Sequence, residues 1–559
     1  MRKIIILFAM FFSNLCFGQN NYWSSYFGGN GKEFCSGVVH DKQNNIYLFG
    51  TTDSSNNITT NGVHQVVYGG GIGDGILAKF DKYGNLLWST YYGGNNDDGI
   101  RAACVDNNDN IIIAGISSSI NNISTPGSFQ ATGPGGCFVA KFNSNGVRLW
   151  GTYFNYGAIR SVCTDKLGNI IFCGYTSDSS GLSTPGAYHP NNLGNYDGFL
   201  VKFGPNGNRL WGTYYGGNGN EDCFSCATDN SNNILISGYT HSDTGISTTG
   251  AAQINMDGVE DAYIAKFNSS GNILWSTYLG GNDYEDAYSV CADKNNNVIV
   301  GGSGISTNGI ATPGAYKMLP DGQDAFIVKY DSNGVKKWGT YYGGPDIIDP
   351  DFFHQAAVNK SGEIFIVGNT TATTGIATAG SYSSSNSGYT DGYFAKFSPL
   401  GSLVWGSYFG GNIGGDVLGI SIDSLSNIII AGNTSSDSNI ATNGAYQITY
   451  GGGISDCFIA SFDSTGHIPP VGIQDFNEAI PSLLKAYPNP AKGKITVSIK
   501  DYVGNGSSLV LMNVEGKVVK SLVVKAEECN IDLKDLSAGV YLLQYEDGEV
   551  CETVKVVKE

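Results

Sequence analysis

The stretch Trp88–Asn95 reads WSTYYGGN, and the same text returns along the chain: WSSYFGGN from Trp23, WGTYYGGN from Trp211, WSTYLGGN from Trp275, WGTYYGG from Trp338 and WGSYFGGN from Trp405. Trp150 heads a departing copy, WGTYFNYG, in which the double glycine is gone. These are all seven tryptophans of the sequence, spaced by 65, 62, 61, 64, 63 and 67 residues. A fixed period near 64 marks a repeat architecture, whose units bury their apolar faces against one another.

Each unit divides into four strand-like stretches. Strand a ends at Asp41, Asp106, Asp165, Asp229, Asp293, Asn359 or Asp423. A short Asn/Gly-rich turn such as DKQNN or DNNDN leads into strand b, for example NIIIAG. Strand c follows a longer connection, as in DGILAKF, DGFLVKF, DAYIAKF and DAFIVKY, and strand d carries the Trp. Alternating β-branched and aromatic residues with Gly/Asn punctuation predict antiparallel hairpins. Four strands per unit, repeated radially, give a β-propeller. The first Trp strand has no strand c before it, and the last strand c, ending at Phe462, has no Trp after it. The expectation is an all-β, closed seven-bladed propeller of four-stranded blades over residues 20–467, in which the N-terminal strand completes the last blade and no sheet edge stays open.

Composition agrees. The 559 residues include 79 Gly, 12% are aromatic and only 14% are charged, which excludes a disordered chain and favours short strands with tight turns. The 31 basic and 49 acidic residues leave a net charge of −18, and such a cation-poor surface repels phosphate backbones, so no nucleic-acid partner is expected. WSTYYGGN, VDNNDNIIIAG, TPGAY and DGFLVKF resemble the bacterial SBBP family of β-propeller repeats. That resemblance covers about Asn20–Gly466 and implies a fold rather than a reaction.

The two ends differ from the repeats. Residues 1–18 carry Arg2 and Lys3, then an apolar run from Ile4 to Phe12, and read as a secretory signal peptide too short to span a bilayer. No transmembrane segment is expected elsewhere. Residues 468–484 read as a linker. Residues 485–559 hold YPNPAKGKITVSI, SLVLMNVEGKVV and IDLKDLSAGVYLLQY, the strands of a small β-sandwich. They resemble the type A C-terminal sorting domain of the type IX secretion system of Bacteroidota. Tyr487, Pro488, Asn489 and Pro490 match its opening motif, Glu515 and Gly516 its central turn, and Gly539 and Tyr541 its last segment. The resemblance implies handling by the type IX machinery through residues 485–559, and release or attachment at the outer cell surface.

Export places the cysteines in an oxidising compartment. Cys104, Cys163 and Cys291 share one repeat slot and Cys137 and Cys457 another, the latter alternating with Gly and Ala elsewhere, so they read as small buried fillers. Cys223 and Cys226 form a lone CxxC without a second pair, and Cys529 is left open to pairing with Cys551.

The six histidines are scattered, and no HExxH, GxSxG or phosphate-binding loop is present. No catalytic, cofactor-binding or metal residues are therefore assigned. Asp106-Asn108-Asn110 and Asp229-Ser231-Asn233 have calcium-like spacing, but lack the Gly at six and Glu at twelve of a calcium loop. Asx turns closing on their own backbone account for them better, and calcium is kept only as a minor alternative. The connections from strand d to strand a carry acids: Glu33, Asp98, Asp222, Asp286, Asp349 and Asp416. In the propeller these ring the mouth of the central channel. They serve either as acceptors for turn N–H groups or as a ligand ring for a cation, a cationic ligand or a hydroxyl-rich ligand. The Trp and Tyr of strand d read as packing between blades. The expectation is a monomeric, exported or surface-attached propeller that binds an extracellular glycan or protein, or is a structural part of the surface. The alternative is a secreted polysaccharide hydrolase or lyase using the channel-mouth carboxylates.

Overall fold

In a computed structural model the described residues are 21–133, 135–345, 351–463, 484–499, 507–513, 517–546 and 551–559. The signal sequence 1–18, most of the linker 468–484, Asp349, Glu515 and Gly516 lie outside them. The chain divides into two compact units, 1–469 and 470–559.

The first unit is all-β and propeller-like, and among its described residues there is no helix. Four-stranded antiparallel sheets repeat along it, each built in chain order, as in Glu33–His40, Ile46–Thr52, Asp74–Phe80 and Leu86–Tyr92. Seven such sheets are present among the described residues. In the last, Gly415–Ile422, Ile428–Thr434 and Asp456–Phe462 are joined by the N-terminal strand Asn21–Phe27, with Trp23 opposite Ser461 and Phe27 opposite Cys457. Most strand c segments are buried along their whole length, as their near-continuous apolar text requires.

Neighbouring sheets are tied at three levels. Near the first strands, Ser161, Ser225 and Ser289 each accept the N–H of the next sheet, from Cys226, Val290 and Ala356, all at 3.2 Å. Outside, the strand-d indoles from Trp23 to Trp338 pack on the next sheet. Trp88, Trp211 and Trp275 donate Nε1–H to the carbonyls of Ser144, Ser269 and Ser332 at 3.1–3.3 Å. The glycine of that hairpin turn has positive φ and stands against the ring, so that a Cβ on Gly271 (φ 84°) would lie 3.2 Å from Trp211. Between these levels, the strand-c lysines donate to the next sheet, Lys79 to the Ser144 carbonyl at 3.2 Å and Lys202 to the Ser269 carbonyl at 3.1 Å. They also reach back within their own sheet to the acid ending strand a: Lys141 Nζ lies 2.7 Å from Asp106, Lys202 2.8 Å from Asp165 and Lys266 2.8 Å from Asp229. The first and last sheets share the same kind of contact, with Asn433 Oδ1 accepting the Cys35 N–H at 2.7 Å and His40 Nδ1 2.6 Å from Ser421 Oγ.

The second unit packs the three-stranded sheet of Leu484–Tyr487, Lys494–Ile499 and Glu528–Asp532 on a four-stranded sheet of Ser508–Asn513, Val518–Val523, Gly539–Glu546 and Cys551–Lys558. Ile495, Val497, Leu509, Leu511, Ile531 and Leu543 share its core. Cys529 is a free thiol, on the first of these sheets, whereas Cys551 opens a strand of the second.

Candidate functional site

Of the six acids that the sequence places in one ring, the five among the described residues fall into two positions, and Asp349 lies outside the described residues. Glu33 and Asp98 open strand a, opposite Thr52 and Ser117. Asp222, Asp286 and Asp416 sit one residue further along, opposite Tyr239, Ser303 and Asn433. Successive strand residues face opposite ways, so these three are not equivalents of Glu33. The acids that do share its position are Glu221 and Glu285, with Asp351 beside the uncharacterised place of Asp349.

The strand-opening acids are buried and bonded to the double glycine. The second glycine donates its N–H to the carboxylate: Gly29 to Glu33 at 3.0 Å, Gly94 to Asp98 at 2.7 Å, Gly217 to Glu221 at 2.9 Å, Gly281 to Glu285 at 2.9 Å and Gly344 to Asp351 at 2.6 Å. The first glycine is wedged between that acid and the Asp opening strand c of the preceding sheet. A Cβ on Gly28 would meet Asp456 Oδ1 at 2.5 Å and Glu33 Oε2 at 2.6 Å, and one on Gly343 would meet Asp324 and Asp351 at 2.5 Å each. Two buried carboxyls thus flank each such glycine. Burial pushes Asp74, Asp261 and Asp456 up to about 7, and the neighbouring charge of Asp98, Glu285 or Glu33 adds to it. Burial likewise raises Asp197 to about 6, with Glu221 adding to the shift. In the departing copy Asn155 and Tyr156 replace the glycines, and Gly136 and Gly157 replace both acids together. This arrangement accounts for the recurrence of Glu33 and Asp98 as a structural element of the turn.

A different feature faces a space shared by the first strands of the sheets of the first unit. Every first strand carries a register shift at the same point, and the extra residue is Ser36, Arg101, Arg160, Phe224, Tyr288, His354 or Leu418. Bulges of this kind re-aim a side chain out of the ladder. The preceding residues, from Cys35 and Ile100 to Val417, are all buried, while the bulge residues keep solvent access. All seven line one cavity of about 290 Å³, and five of them also line an adjoining one of about 480 Å³. One residue from each sheet therefore converges on a shared space, and the repeat places six residue types there.

The acids at the second position attach to this ring. Asp222 Oδ2 accepts Arg160 Nη2 at 2.8 Å and Nε at 3.0 Å, and Asp286 accepts the Tyr288 hydroxyl at 2.9 Å. The Arg160 guanidinium also lies 5.0 Å from the Tyr175 ring. Asp416 lines a separate depression of about 400 Å³ with Lys32 and Tyr389. Near Asp286, Glu260 is pushed up to about 7 by burial and by the Asp286 and Glu285 charges, and holds His241 Nε2 at 3.0 Å.

The turns with calcium-like spacing are already engaged. Asp106 accepts the Asn108 and Asn110 N–H groups at 2.8 and 3.0 Å and pairs with Lys141, and Asp229 does the same with Ser231, Asn233 and Lys266. Despite burial, the Lys141 ammonium and the Asn110 amide hold the Asp106 carboxyl below its ordinary value. Among the described residues no group of three or more His, Cys, Asp or Glu side chains is placed to hold a metal. In the second unit, Tyr487 donates to Glu528 at 2.9 Å and Tyr541 to the Ser537 carbonyl at 2.8 Å. Between Pro488 and Pro490, Asn489 accepts the Val557 N–H at 2.8 Å, so the opening motif is pinned to the last strand. Gly539 begins the strand Gly539–Glu546.

Residues 23–58 match the beta-propeller repeat family SBBP, and residues 485–559 match the secretion system C-terminal sorting domain. The sorting domain marks the chain for export by the type IX secretion system to the cell surface or the extracellular space. An uncharacterized WD repeat-containing protein of Acanthamoeba polyphaga mimivirus is 26% identical over 434 residues, which cover 62% of this chain and 31% of that protein. The chain thus spans about a third of the length of the curated relative it matches. Among solved structures, the WD40 β-propeller domain of Doa1 aligns with a TM-score of 0.41 at 10% identity, covering 80% of this chain and 97% of that one. PorZ, a surface component of the type IX secretion system of Porphyromonas gingivalis, aligns at 0.36 and 11% over 95% of this chain and 60% of its own. A polysaccharide lyase, an ulvan lyase bound to a GlcA(1-4)Rha3S saccharide, aligns at 0.37 and 12%, over 74% and 93%. No helix among the described residues is long and apolar enough to cross a membrane.

Proposed function

We propose that this is an exported binding protein, in which residues 20–467 close into a seven-bladed, monomeric propeller with a ligand site at its channel and residues 485–559 serve passage through the type IX machinery. Closure is supported by the N-terminal strand pairing with Asp456–Phe462 and by the Asn433–Cys35 bond between the first and last sheets. The observation that carries the binding reading is the ring of bulge residues. A scaffold position repeats its residue, as the Trp does in all seven copies and the strand-c lysine and the double glycine each do in six. Six residue types at seven equivalent positions around one cavity are what a specific ligand requires.

The test is glycan- and peptide-array binding by the purified chain beside the double variant Phe224→Ser/Tyr288→Ser. Binding by the parent, lost in the variant at an unchanged melting temperature, is expected. Equal binding by both would remove the channel site. A second reading, a polysaccharide hydrolase or lyase, draws on the raised Glu260 carboxyl beside His241, a pair with no counterpart among the described residues of the other sheets. It is tested in the same experiment: shortened glycan products that vanish in Glu260→Gln would establish it in place of simple binding.

A further inference from the structure

The basic residues of the first unit divide sharply by what they touch. The strand-c lysines are consumed by the acids that end strand a, as Lys141, Lys202 and Lys266 show. The sequence has five arginines, four of them beyond the signal segment. Two of these, Arg148 and Arg209, begin equivalent strands and cap the carbonyls of Ile123 at 3.2 Å and Leu182 at 3.1 Å. The remaining two, Arg101 and Arg160, stand in the bulge position of adjacent sheets, on the wall of the same cavities. Arg160 is oriented by Asp222, which takes up its Nε and Nη2. Arg101 is exposed and makes no hydrogen bond or ion pair among the described residues. In a chain of net charge −18, an unpaired guanidinium kept in a cavity beside a second one is not needed for the fold.

Three further groups face the same space. His354 Nε2 is buried with no hydrogen-bond partner. Phe224 and Tyr288 lie nearly parallel, with ring centroids 5.1 Å apart, and form an aromatic wall. Guanidinium groups are suited to carboxylate and sulfate oxygens because their planar fork donates two parallel N–H bonds. An aromatic wall suits the apolar face of a sugar ring; the cavity of about 290 Å³ that Phe224 and Tyr288 line admits about one such ring, and the adjoining one of about 480 Å³, lined by the two arginines, leaves room for a second.

We infer that the channel site takes an acidic oligosaccharide, with its carboxylate or sulfate held by Arg101 beside Arg160 and a sugar face packed against Phe224 and Tyr288. This rests on the reading of the channel as a ligand site. Binding is therefore electrostatic in part and falls as salt rises.

The experiment is calorimetric titration of the intact chain with four probes: an oligogalacturonate, a heparin-derived oligosaccharide, a neutral dextran oligosaccharide and polyglutamate. The expected result is binding of one or both acidic saccharides that weakens with NaCl, with little for dextran or polyglutamate. The uronate and sulfate arms decide which oxyanion is preferred. Arg101→Gln is expected to weaken that binding at least tenfold at an unchanged melting temperature, and Arg101→Lys to restore part of it. Failure of both acidic saccharides to bind, or equal binding of dextran or of polyglutamate, overturns the inference. If the ligand that does bind is still lost in Phe224→Ser/Tyr288→Ser, only its acidic class falls. If acidic saccharides bind and neither Arg101→Gln nor the double variant weakens them, the channel site falls as well.

Discussion

Deleting residues 21–27 is expected to unfold the whole first unit at moderate temperature rather than to shorten one sheet. The strand they form is the outer member of the last sheet, and its loss leaves the Asp456–Phe462 edge unpaired along its length. Tyr26 and Phe27 are fully buried, and the Trp23 indole packs on Gly84 and donates to the Lys82 carbonyl at 3.2 Å. Removing a buried aromatic side chain costs about 3–5 kcal/mol, so the three together approach the entire stability of an ordinary domain. The deleted chain should melt at least 15 °C lower, or aggregate. A chain in which the same strand is transplanted to follow residue 463 should recover most of the loss, because the pairing partner is unchanged. A deletion variant melting within a few degrees of the parent would show that the strand is dispensable and would count against ring closure.

The second large effect is that the protein should be more stable at pH 5 than at pH 8. The buried carboxyls beside the double glycines have folded-state values raised toward 6 or 7, against unfolded values near 4. Between these limits the folded chain binds more protons than the unfolded one, so stability falls as pH rises through that window. The acids that end strand a behave oppositely. Asp106, Asp165, Asp229 and Asp293 are held below their ordinary values by their turn and lysine partners, against the cost of burial. Their contribution is present above about pH 4 and is lost below it. Stability should therefore peak near pH 5. A drop on the order of 5–10 °C in melting temperature by pH 8 is expected for a unit of this size. Asp74→Asn/Asp261→Asn should flatten that drop and raise the melting temperature at pH 8. A melting temperature that is flat or rising from pH 5 to pH 8 would contradict the assignment.

Much of this molecule is legible from the Trp period. The indole, the hairpin glycine and the strand-c lysine each make one contact that the neighbouring sheet repeats, and a contact that recurs identically writes itself into the sequence. The two sets of acids were harder to separate. NGNEDC around Glu221 and NDYEDA around Glu285 offer two adjacent acids each, and a slip of one residue turns the side chain to the other face of a strand. The signal that resolves them lies in the departing copy. There the double glycine, the strand-opening acid and the strand-c Asp are lost together, at Asn155-Tyr156, Gly157 and Gly136. The bulge residues left no motif at all. What they share is a backbone irregularity fixed by packing around the cavity, and their identities differ because nothing in the repeat constrains them. The cysteines yield to the same logic. Cys223 and Cys226 share a strand and lie in a buried cluster with Cys173, serving as filler between two sheets.

A bulge ring that serves a ligand and not the fold should tolerate wholesale replacement. The most direct measurement replaces five ring residues at once, giving Arg101→Ser, Phe224→Ser, Tyr288→Ser, His354→Ser and Leu418→Ser beside the native Ser36, with Arg160 kept as the partner of buried Asp222, and follows melting temperature together with array binding. The predicted result is a folded chain melting within about 5 °C of the parent, with ligand binding abolished. A chain that fails to fold, or one that folds and binds as the parent does, would contradict the claim.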